Sequence, residues 1–443
     1  MVAPRHPAQY VVLAFVLASL GGAILLLIPA ASEEPGSTSF LTALFTATSA
    51  VCVTGLAVVD TGTHWTPLGE AIILALIQVG GFGIMTLTSL IVVVLARSLG
   101  LRQRLVAAAE TRSFDVGGLR SLLFGVARFS LGVEAVGAVL LFLRFWLTHG
   151  HPAGRAAYLG LFHSVSSFNN AGFSPFADSI VSLNRDPVLL LVLAASIAIG
   201  GLGYPVWVQI ARHPRHPHRW TLHAKLTVTT TLMLIAGGWA LLAWFEWTNP
   251  ATLGSMSSVD STVNALFHSI SPRTAGFNSV EIGGLREASR LLTEILMFIG
   301  GGSASTAGGI KVTTFAVLGW VLWAEVRGDP DVVVFERRIP TAAQRQAVTV
   351  ALLAVGVVIV STMALLATSR LPREDLMFET ISALGTVGLT ANGTTNLLAP
   401  SSRVLVIALM ILGRVGPPTL FAAIVLRERT RLYRHPEERP IIG

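Results

Sequence analysis

Phe45 to Leu56 reads FTATSAVCVTGL, a short amphipathic stretch that ends in a polar turn, a glycine and a leucine. The same pattern returns three more times, each time ahead of a long apolar run. The copies are FHSVSSFNNAGF at 162–173, FHSISPRTAGF at 267–277 and FETISALGTVGL at 378–389. An internal repeat indicates the architecture before any single element does. The sequence therefore predicts four similar units, each about a quarter of the chain, around a common axis.

The composition is that of an integral membrane protein. Of 443 residues, 52% are hydrophobic and 12% are charged, whereas soluble domains carry about 25% charged residues. The mean hydropathy is +0.68. The net charge of +7 comes from basic residues clustered in short loops between apolar runs, so we expect membrane lipid and no nucleic acid as partners. The single cysteine, Cys52, excludes an intramolecular disulfide.

Eight segments are long and apolar enough to cross a bilayer, which takes about 20 residues. The first resembles a signal peptide, but more spans follow it and a convincing cleavage site is lacking, so a membrane helix is predicted. Four shorter segments are expected to dip into the membrane as pore helices and to return as extended strands, which is tolerated where the backbone faces a water-filled cavity. The spans are 10–29, 71–95, 122–146, 188–210, 226–245, 291–323, 348–368 and 404–426, and the pore helices are 40–50, 156–167, 259–270 and 374–384.

The resulting prediction is an all-α polytopic membrane protein of four repeated helix–pore-helix–helix units, with eight spans, around a central pore with pseudo-fourfold symmetry. Basic and acidic loops alternate, so the positive-inside rule places both termini in the cytoplasm and the four motifs on the outer side. The loops are too short for a nucleotide-binding domain and carry no P-loop, which excludes an ATP-driven pump. The predicted units are 1–98, 99–212, 213–328 and 329–443, the last with a cytoplasmic C-terminal tail.

The glycines near the ends of the motifs mark the predicted narrowest point of the pore. Potassium filters replace the hydration shell of the ion with backbone carbonyls, and a residue without a Cβ adopts the required dihedrals most easily. Each pore helix would also point its negative C-terminal end at the cavity, which favours a cation. The third copy is one residue shorter and carries Arg273, so strict symmetry is not expected. The predicted K+ selectivity filter is Val53, Thr54, Gly55, Asn170, Ala171, Gly172, Thr274, Ala275, Gly276, Thr386, Val387 and Gly388.

A glycine-rich segment interrupts the sixth predicted span. A helix does not continue comfortably through five glycines at about 1 kcal/mol each, and discontinuous helices at membrane depth line transport sites. The segment therefore either lines the transport site or is a flexible kink with no gating role. Its residues are Gly300, Gly301, Gly302, Ser303, Ala304, Ser305, Thr306, Ala307, Gly308 and Gly309.

Charged and histidine residues elsewhere give weaker signals. Arg414 lies inside the last predicted span, where a guanidinium marks either a functional site or a partner for loop carbonyls. Lys311 either pairs with a carboxylate or snorkels towards the interface. The His213–His218 tract resembles a metal site, but its prolines and arginines favour a solvated loop. Four acids are expected near span ends, where interfacial water solvates them: Glu70, Glu134, Glu294 and Glu325.

The four motifs resemble the filters of the Trk/Ktr/HKT potassium-transporter superfamily, and the resemblance covers essentially the whole chain. It is strongest to the Ktr membrane subunit, KtrB, because the chain starts directly at the first repeat. The resemblance implies potassium uptake across the plasma membrane through a channel-like pore, with loop 300–310 and Arg414 as the gate under the filter. In that family a first-repeat serine goes with sodium permeation, so Gly55 implies a preference for potassium.

The resemblance also implies partners. We expect a homodimer docked on a cytoplasmic octameric ring of RCK (KtrA-type) subunits, which bind ATP or ADP and control the gate. No cofactor is expected in this chain beyond K+ ions in the pore. The C-terminal segment Arg431–Gly443 is one candidate docking surface.

Two other classes of function fit the sequence less well. A secondary symporter that couples potassium to sodium or protons needs an ionisable relay across the membrane, and Arg414 is the only charge deep in the predicted spans. A membrane enzyme or a non-transporting receptor is less consistent with the sequence, because clustered acids, bases or nucleophiles are lacking. The sequence therefore predicts a transporter and no enzymatic activity.

Overall fold

The structure is a computed structural model that describes residues 7–98 and 116–416, with side chains described for 9–83 and 123–416. Regular structure in these ranges is almost entirely helical, with one short hairpin of β1 (Val333–Val334) and β2 (Arg337–Arg338). The α-helices are α1 Pro7–Leu26, α2 Phe40–Val51, α3 Thr61–His64, α4 Pro67–Ser98, α5 Val116–Leu147, α6 Ala153–Phe168, α7 Pro187–Leu202, α8 Tyr204–Arg212, α9 Leu222–Glu246, α10 Ser258–Ile270, α11 Glu287–Phe298, α12 Val312–Arg327, α13 Thr341–Thr368, α14 Arg373–Gly385, α15 Thr394–Leu397 and α16 Pro400–Val415. Single 3-10 turns lie at Pro29–Ala31, Val181–Leu183, Pro217–Arg219 and Ile282–Gly284.

The four helices that begin the repeated motifs are short and central. They have 12, 16, 13 and 13 residues and lie within a few residues of the predicted pore helices. At about 1.5 Å per residue, none can cross a hydrocarbon core about 30 Å thick. The phenylalanine that opens each motif is almost completely buried, which anchors each short helix in the interior: Phe45, Phe162, Phe267 and Phe378.

The longer helices surround this centre. In the described ranges, four of them are long and apolar enough to span a membrane, namely α1, α5, α9 and α13, and the bent pair α7–α8 makes a fifth if it counts as one span. Large apolar side chains are exposed on α5, α9 and α12; Leu147, Trp244, Leu322 and Val326 are 67–80% exposed. Such a surface is suited to lipid and not to water. The chain is therefore a multi-pass membrane protein.

The fourth predicted span is not one helix. Helices α7 and α8 meet at Gly203 and are bent by 95°, because Gly203 has φ +89° and Pro205 opens the second helix. A Cβ on Gly203 would lie 2.9 Å from the carbonyl oxygen of Ser303. The bend places Gly203 against a segment about 100 residues away, and the local sequence does not reveal this contact.

Two further predictions concern broken or terminal segments. The sixth predicted span consists of α11 and α12, separated by the glycine-rich segment, as its glycines predict. The last described helix, α16, ends at Val415, and the remainder of the predicted span 404–426 lies outside the described residues. The predicted C-terminal tail also lies outside the described residues, and so does the start of the second predicted unit, at residue 99.

Asp186 stabilises the start of α7. Its carboxylate accepts a hydrogen bond from Leu189 N and contacts Arg144 Nε at 2.7 Å and His149 Nε2 at 2.9 Å. Burial alone would raise the pKa of Asp186, but the hydrogen bonds from Arg144, His149 and Leu189 outweigh it and hold this pKa below its usual range. The charged form is therefore favoured by folding, and its contribution is lost as the pH falls through the lowered pKa.

Asp186→Asn should lower the free energy of unfolding by about 1–3 kcal/mol, because it weakens a helix cap and leaves Arg144 without its anion. Thermal unfolding in detergent at neutral pH measures this loss. Asp331→Asn is the matched control, since Asp331 pairs with Arg338 at an exposed site where ion pairs contribute little. Equal melting temperatures for the two variants would contradict the role given to Asp186.

Candidate functional site

The four motif turns share one backbone conformation. The glycine of each turn has positive φ, and so does the residue two positions before it, although valine, asparagine and threonine occupy that position. Positive φ is uncommon outside glycine and costs about 1–3 kcal/mol when the surroundings enforce it. The φ values are 54° and 94° at Val53 and Gly55, 60° and 70° at Asn170 and Gly172, 77° and 75° at Thr274 and Gly276, and 50° and 97° at Thr386 and Gly388. Four equivalent outliers point to a common function.

A serine at the end of each pore helix holds the turn. Its carbonyl accepts a hydrogen bond from the residue before the glycine, at 2.8–2.9 Å in all four motifs. The serine hydroxyl adds a second bond, to the glycine N–H in the first and fourth motifs and to the carbonyl after the glycine in the second and third. The serines are Ser49, Ser166, Ser271 and Ser382. Sequence reasoning missed this role, although a serine recurs five or six residues before each glycine.

The four glycines approach one another in a closed order. Each lies against the carbonyl that precedes the next glycine in the chain, and the fourth returns to the first, so a side chain on any of them would collide with backbone. The approaches are Gly55 to Ala171 O (2.5 Å from an ideal Cβ), Gly172 to Ala275 O (2.8 Å), Gly276 to Val387 O and Gly388 to Thr54 O. The fold thus brings four distant turns together as a ring, which we call the glycine ring.

A cavity of about 400 Å³ opens on one side of the glycine ring. All four glycines line it, together with Asp60, Asp178 and Glu281. Carboxylates around a cleft raise the local concentration of cations. We call this space the outer cavity, because the residues that line it follow the glycines in the chain.

The glycine-rich segment lies on the opposite side of the ring. It closes on itself through a bond from Gly300 N to Ile310 O at 2.9 Å. Thr306 Oγ1 lies 3.3 Å from Phe168 O at the end of pore helix α6, and a Cβ on Gly308 would collide with Thr386 Oγ1 of the fourth turn. The segment therefore contacts the second and fourth motifs before their glycines, away from the outer cavity.

Two cations hold this segment by its carbonyls. Arg414 is 4% exposed and donates through Nη1 to Thr306 O and through Nη2 to Gly80 O, the latter at 3.3 Å. Lys311 Nζ donates to Ala307 O at 2.5 Å. Within the described side chains neither residue forms an ion pair. Of the two alternatives for Lys311, a carboxylate partner is not found there, and the amino group binds a loop carbonyl.

Arg273 makes the third motif different from the others. Its guanidinium is 7% exposed and donates to Thr231 O at 3.4 Å, to Thr231 Oγ1 at 3.3 Å and to Gly300 O at 3.5 Å. The third turn is therefore linked to the start of the glycine-rich segment, a link that the sequence did not indicate.

Glu134 and Glu379 are buried acids next to the motifs. Glu134 is near the middle of α5 and accepts hydrogen bonds from Gln78 and Asn169 at 2.9–3.1 Å. The expectation that interfacial water solvates it is wrong, because these amides take the place of water. Glu379 on pore helix α14 is fully buried and accepts from Thr390 and Thr395.

Comparisons with known proteins agree with this geometry. Residues 2–432 match the model of the TrkH family, described as cation transport protein. The chain is 38% identical to Ktr system potassium uptake protein B of Bacillus subtilis, covering 99% of this chain and 97% of the relative. It is 39% identical to the protein of the same name from Vibrio alginolyticus, over 98% of this chain and 94% of the relative. It is 36% identical to potassium/sodium uptake protein NtpJ of Enterococcus hirae, over 99% of this chain and 97% of the relative.

A solved structure supports the same fold. The potassium transporter TrkH from Vibrio parahaemolyticus aligns over 96% of this chain and 86% of its own, with a TM-score of 0.73 and 21% identity. The relatives are named as transport proteins and not as enzymes. By its full-length family match and its identity to these relatives, the chain belongs to the TrkH family of cation transport proteins.

Proposed function

We propose that this protein takes up potassium across the plasma membrane, through a pore whose selectivity filter is the glycine ring. The single observation that carries the proposal is the closed approach of Gly55, Gly172, Gly276 and Gly388 to one another's preceding carbonyls. The names of the relatives support potassium as the cargo. In this proposal the four units 1–98, 99–212, 213–328 and 329–443 surround the pore with pseudo-fourfold symmetry and eight spans, and both termini are cytoplasmic.

Selection follows from backbone chemistry. A potassium ion in the ring exchanges its water for carbonyl oxygens held by pore helices. The bonds from each turn to its own pore-helix serine limit how far those oxygens can move. The carboxylates of the outer cavity supply cations to the ring, since they raise the local cation concentration. The filter residues are Val53, Thr54, Gly55, Asn170, Ala171, Gly172, Thr274, Ala275, Gly276, Thr386, Val387 and Gly388.

The gate is the segment Gly300 to Gly309 together with Arg414. The segment lies against the second and fourth motifs, on the side of the ring away from the outer cavity. The charge of Arg414 opposes the passage of another cation, and the effect is large where little water screens it. Opening requires the segment to move, which breaks the bonds from Arg414 to Thr306 O and from Lys311 to Ala307 O.

Control of the gate is assigned to a partner. The relatives are named as parts of a Ktr system, which supports an assembly of several components. We propose a homodimer on a cytoplasmic octameric RCK ring that binds ATP or ADP, with no cofactor in this chain. The proposed docking segment Arg431–Gly443 lies outside the described residues.

A symporter that couples potassium to sodium or protons is the second candidate. It is favoured by one observation, the buried carboxylate of Glu134 beside the second turn. Within the described side chains this acid bonds to amides and not to further ionisable groups, so a relay is missing from this part of the chain. We therefore favour movement of potassium down its electrochemical gradient.

Isotope uptake tests the function. In cells that lack their own potassium uptake systems, this protein should restore rubidium or potassium uptake, and more so when an RCK partner is co-expressed. Uptake equal to that of empty cells, despite protein in the membrane, would contradict the proposal. Purified protein in liposomes, with a voltage but without a sodium or proton gradient, separates the two mechanisms: flux supports the channel-like pore, and flux that requires either gradient supports the symporter.

A further inference from the structure

The residue after the opening phenylalanine occupies an equivalent place in all four pore helices. It is at most 3% exposed in each motif, and it is polar in each. Its hydrogen-bond partner, however, differs between the second and fourth motifs on the one hand and the first and third on the other. The four residues are Thr46, His163, His268 and Glu379.

In the second and fourth motifs this residue braces the outer end of its own turn. His163 Nε2 lies 3.1 Å from Ser174 Oγ, and Glu379 Oε2 accepts a hydrogen bond from Thr390 Oγ1 at 2.9 Å. Ser174 and Thr390 each follow the ring glycine by two positions, and both line the outer cavity. Because the glycines approach one another in chain order, these two motifs lie opposite each other in the ring.

The first and third motifs lack this brace. Thr46 Oγ1 has no hydrogen-bond partner among the described side chains, and His268 Nε2 contacts Thr293 on α11 instead. The second and fourth turns are therefore braced at their outer ends by their own pore helices, and the first and third turns are not, although all four share one backbone conformation.

Glu379 holds its segment at more than one point. Its second oxygen, Oε1, accepts from Thr395 Oγ1 at 2.6 Å. One turn earlier on α14, Asp375 accepts from Asn392 Nδ2 at 3.2 Å. The pore helix thus fixes the chain from Thr390 to Thr395, which forms the wall of the outer cavity in the fourth motif.

The two acids differ in their charge environment. Asp375 pairs with Arg290 at 2.5 Å, whereas Glu379 forms no ion pair within the described side chains. One hydroxyl group, that of Thr390, separates the Glu379 carboxylate from the outer cavity. Thr390 is therefore the link between Glu379 and the wall of the outer cavity.

We propose that Glu379 is a positioning residue that sets the affinity for potassium at the outer mouth, because it fixes the outer end of the fourth turn through the hydroxyl of Thr390. This inference rests on the proposed function and assigns one of its determinants. The carboxyl group acts on the entering ion through Thr390, and it does not touch the ion itself.

The test is potassium-dependent rubidium or potassium uptake with KM and maximum rate measured separately. Glu379→Gln keeps the size of the side chain but replaces one of the two accepting oxygens with an amide donor. We therefore expect KM for potassium to rise about tenfold, with the maximum rate within about twofold of the original. Thr390→Val, which removes the bridging hydroxyl and keeps the shape, should raise KM in the same direction, and it carries the test if the first variant does not fold.

Glu246→Gln is the matched control. Glu246 is 2% exposed and accepts hydrogen bonds from Thr252 and Asn249, but it lies outside the residues that line the outer cavity. Its substitution should leave KM unchanged. If the protein takes up potassium but both Glu379→Gln and Thr390→Val keep the original KM, this inference is overturned. The same holds if the two variants lower only the maximum rate. If the unmodified protein takes up no potassium, the proposed function itself fails.

Discussion

Gly55→Ser should lower the preference for potassium over sodium by about tenfold, a difference of about 1.4 kcal/mol between the two ions. Gly55 has φ +94°, and a Cβ there would lie 2.5 Å from Ala171 O. The new side chain therefore forces one of the two turns to move, and the carbonyls of the ring no longer fit potassium. The measurement is competition between potassium and sodium for rubidium uptake into liposomes.

Gly36→Ser is the control for backbone strain. Gly36 also has positive φ, +83°, but nothing lies within 4 Å of a Cβ at that position. It should keep the original selectivity. If Gly55→Ser is as selective as Gly36→Ser in well-folded protein, the assignment of the glycine ring as the filter is wrong.

Deletion of Ala304 to Gly308 should raise potassium flux several-fold in the absence of a partner and should remove the response to nucleotide. The deletion takes away Thr306 O and Ala307 O, the carbonyls that receive hydrogen bonds from Arg414 and Lys311. The obstruction under the ring is then shortened. Flux into liposomes, with and without an RCK partner and ATP or ADP, measures the effect.

Arg414→Gln is the companion variant, because it weakens the same anchor without shortening the chain. It should raise flux by less than the deletion does, since Lys311 still binds Ala307 O. Thermal unfolding of both variants separates gating from loss of structure. A folded deletion variant with lower flux than the original protein would show that the segment supports the pore and does not obstruct it.

The pore helices could be predicted from sequence because their signals are local. The first predicted pore helix, 40–50, is Phe40–Val51 in the structure, and Ser39 caps its N-terminus through a bond from Thr42 N. The third begins at Ser258 and is capped by Ser257 in the same way. A polar turn after an amphipathic stretch is enough to fix where such a helix ends.

Features set by distant contacts could not be predicted in this way. The contact of Gly203 with the glycine-rich segment, about 100 residues further along the chain, is one example. Glu379 is an ordinary acid in the sequence, and its importance appears only when Thr390 and Thr395 are seen to share its two oxygens. The regular spacing of the four motifs predicts a ring, but the order in which its glycines approach one another is visible only in the structure.

Locating a bound ion tests most directly whether the glycine ring is the selectivity filter. In crystals grown with rubidium in place of potassium, anomalous scattering should give density on the axis between Gly55, Gly172, Gly276 and Gly388. Rubidium density at that position would support the glycine ring as the selectivity filter. Well-ordered glycine turns with no rubidium between them, or with rubidium bound only elsewhere in the protein, would contradict it.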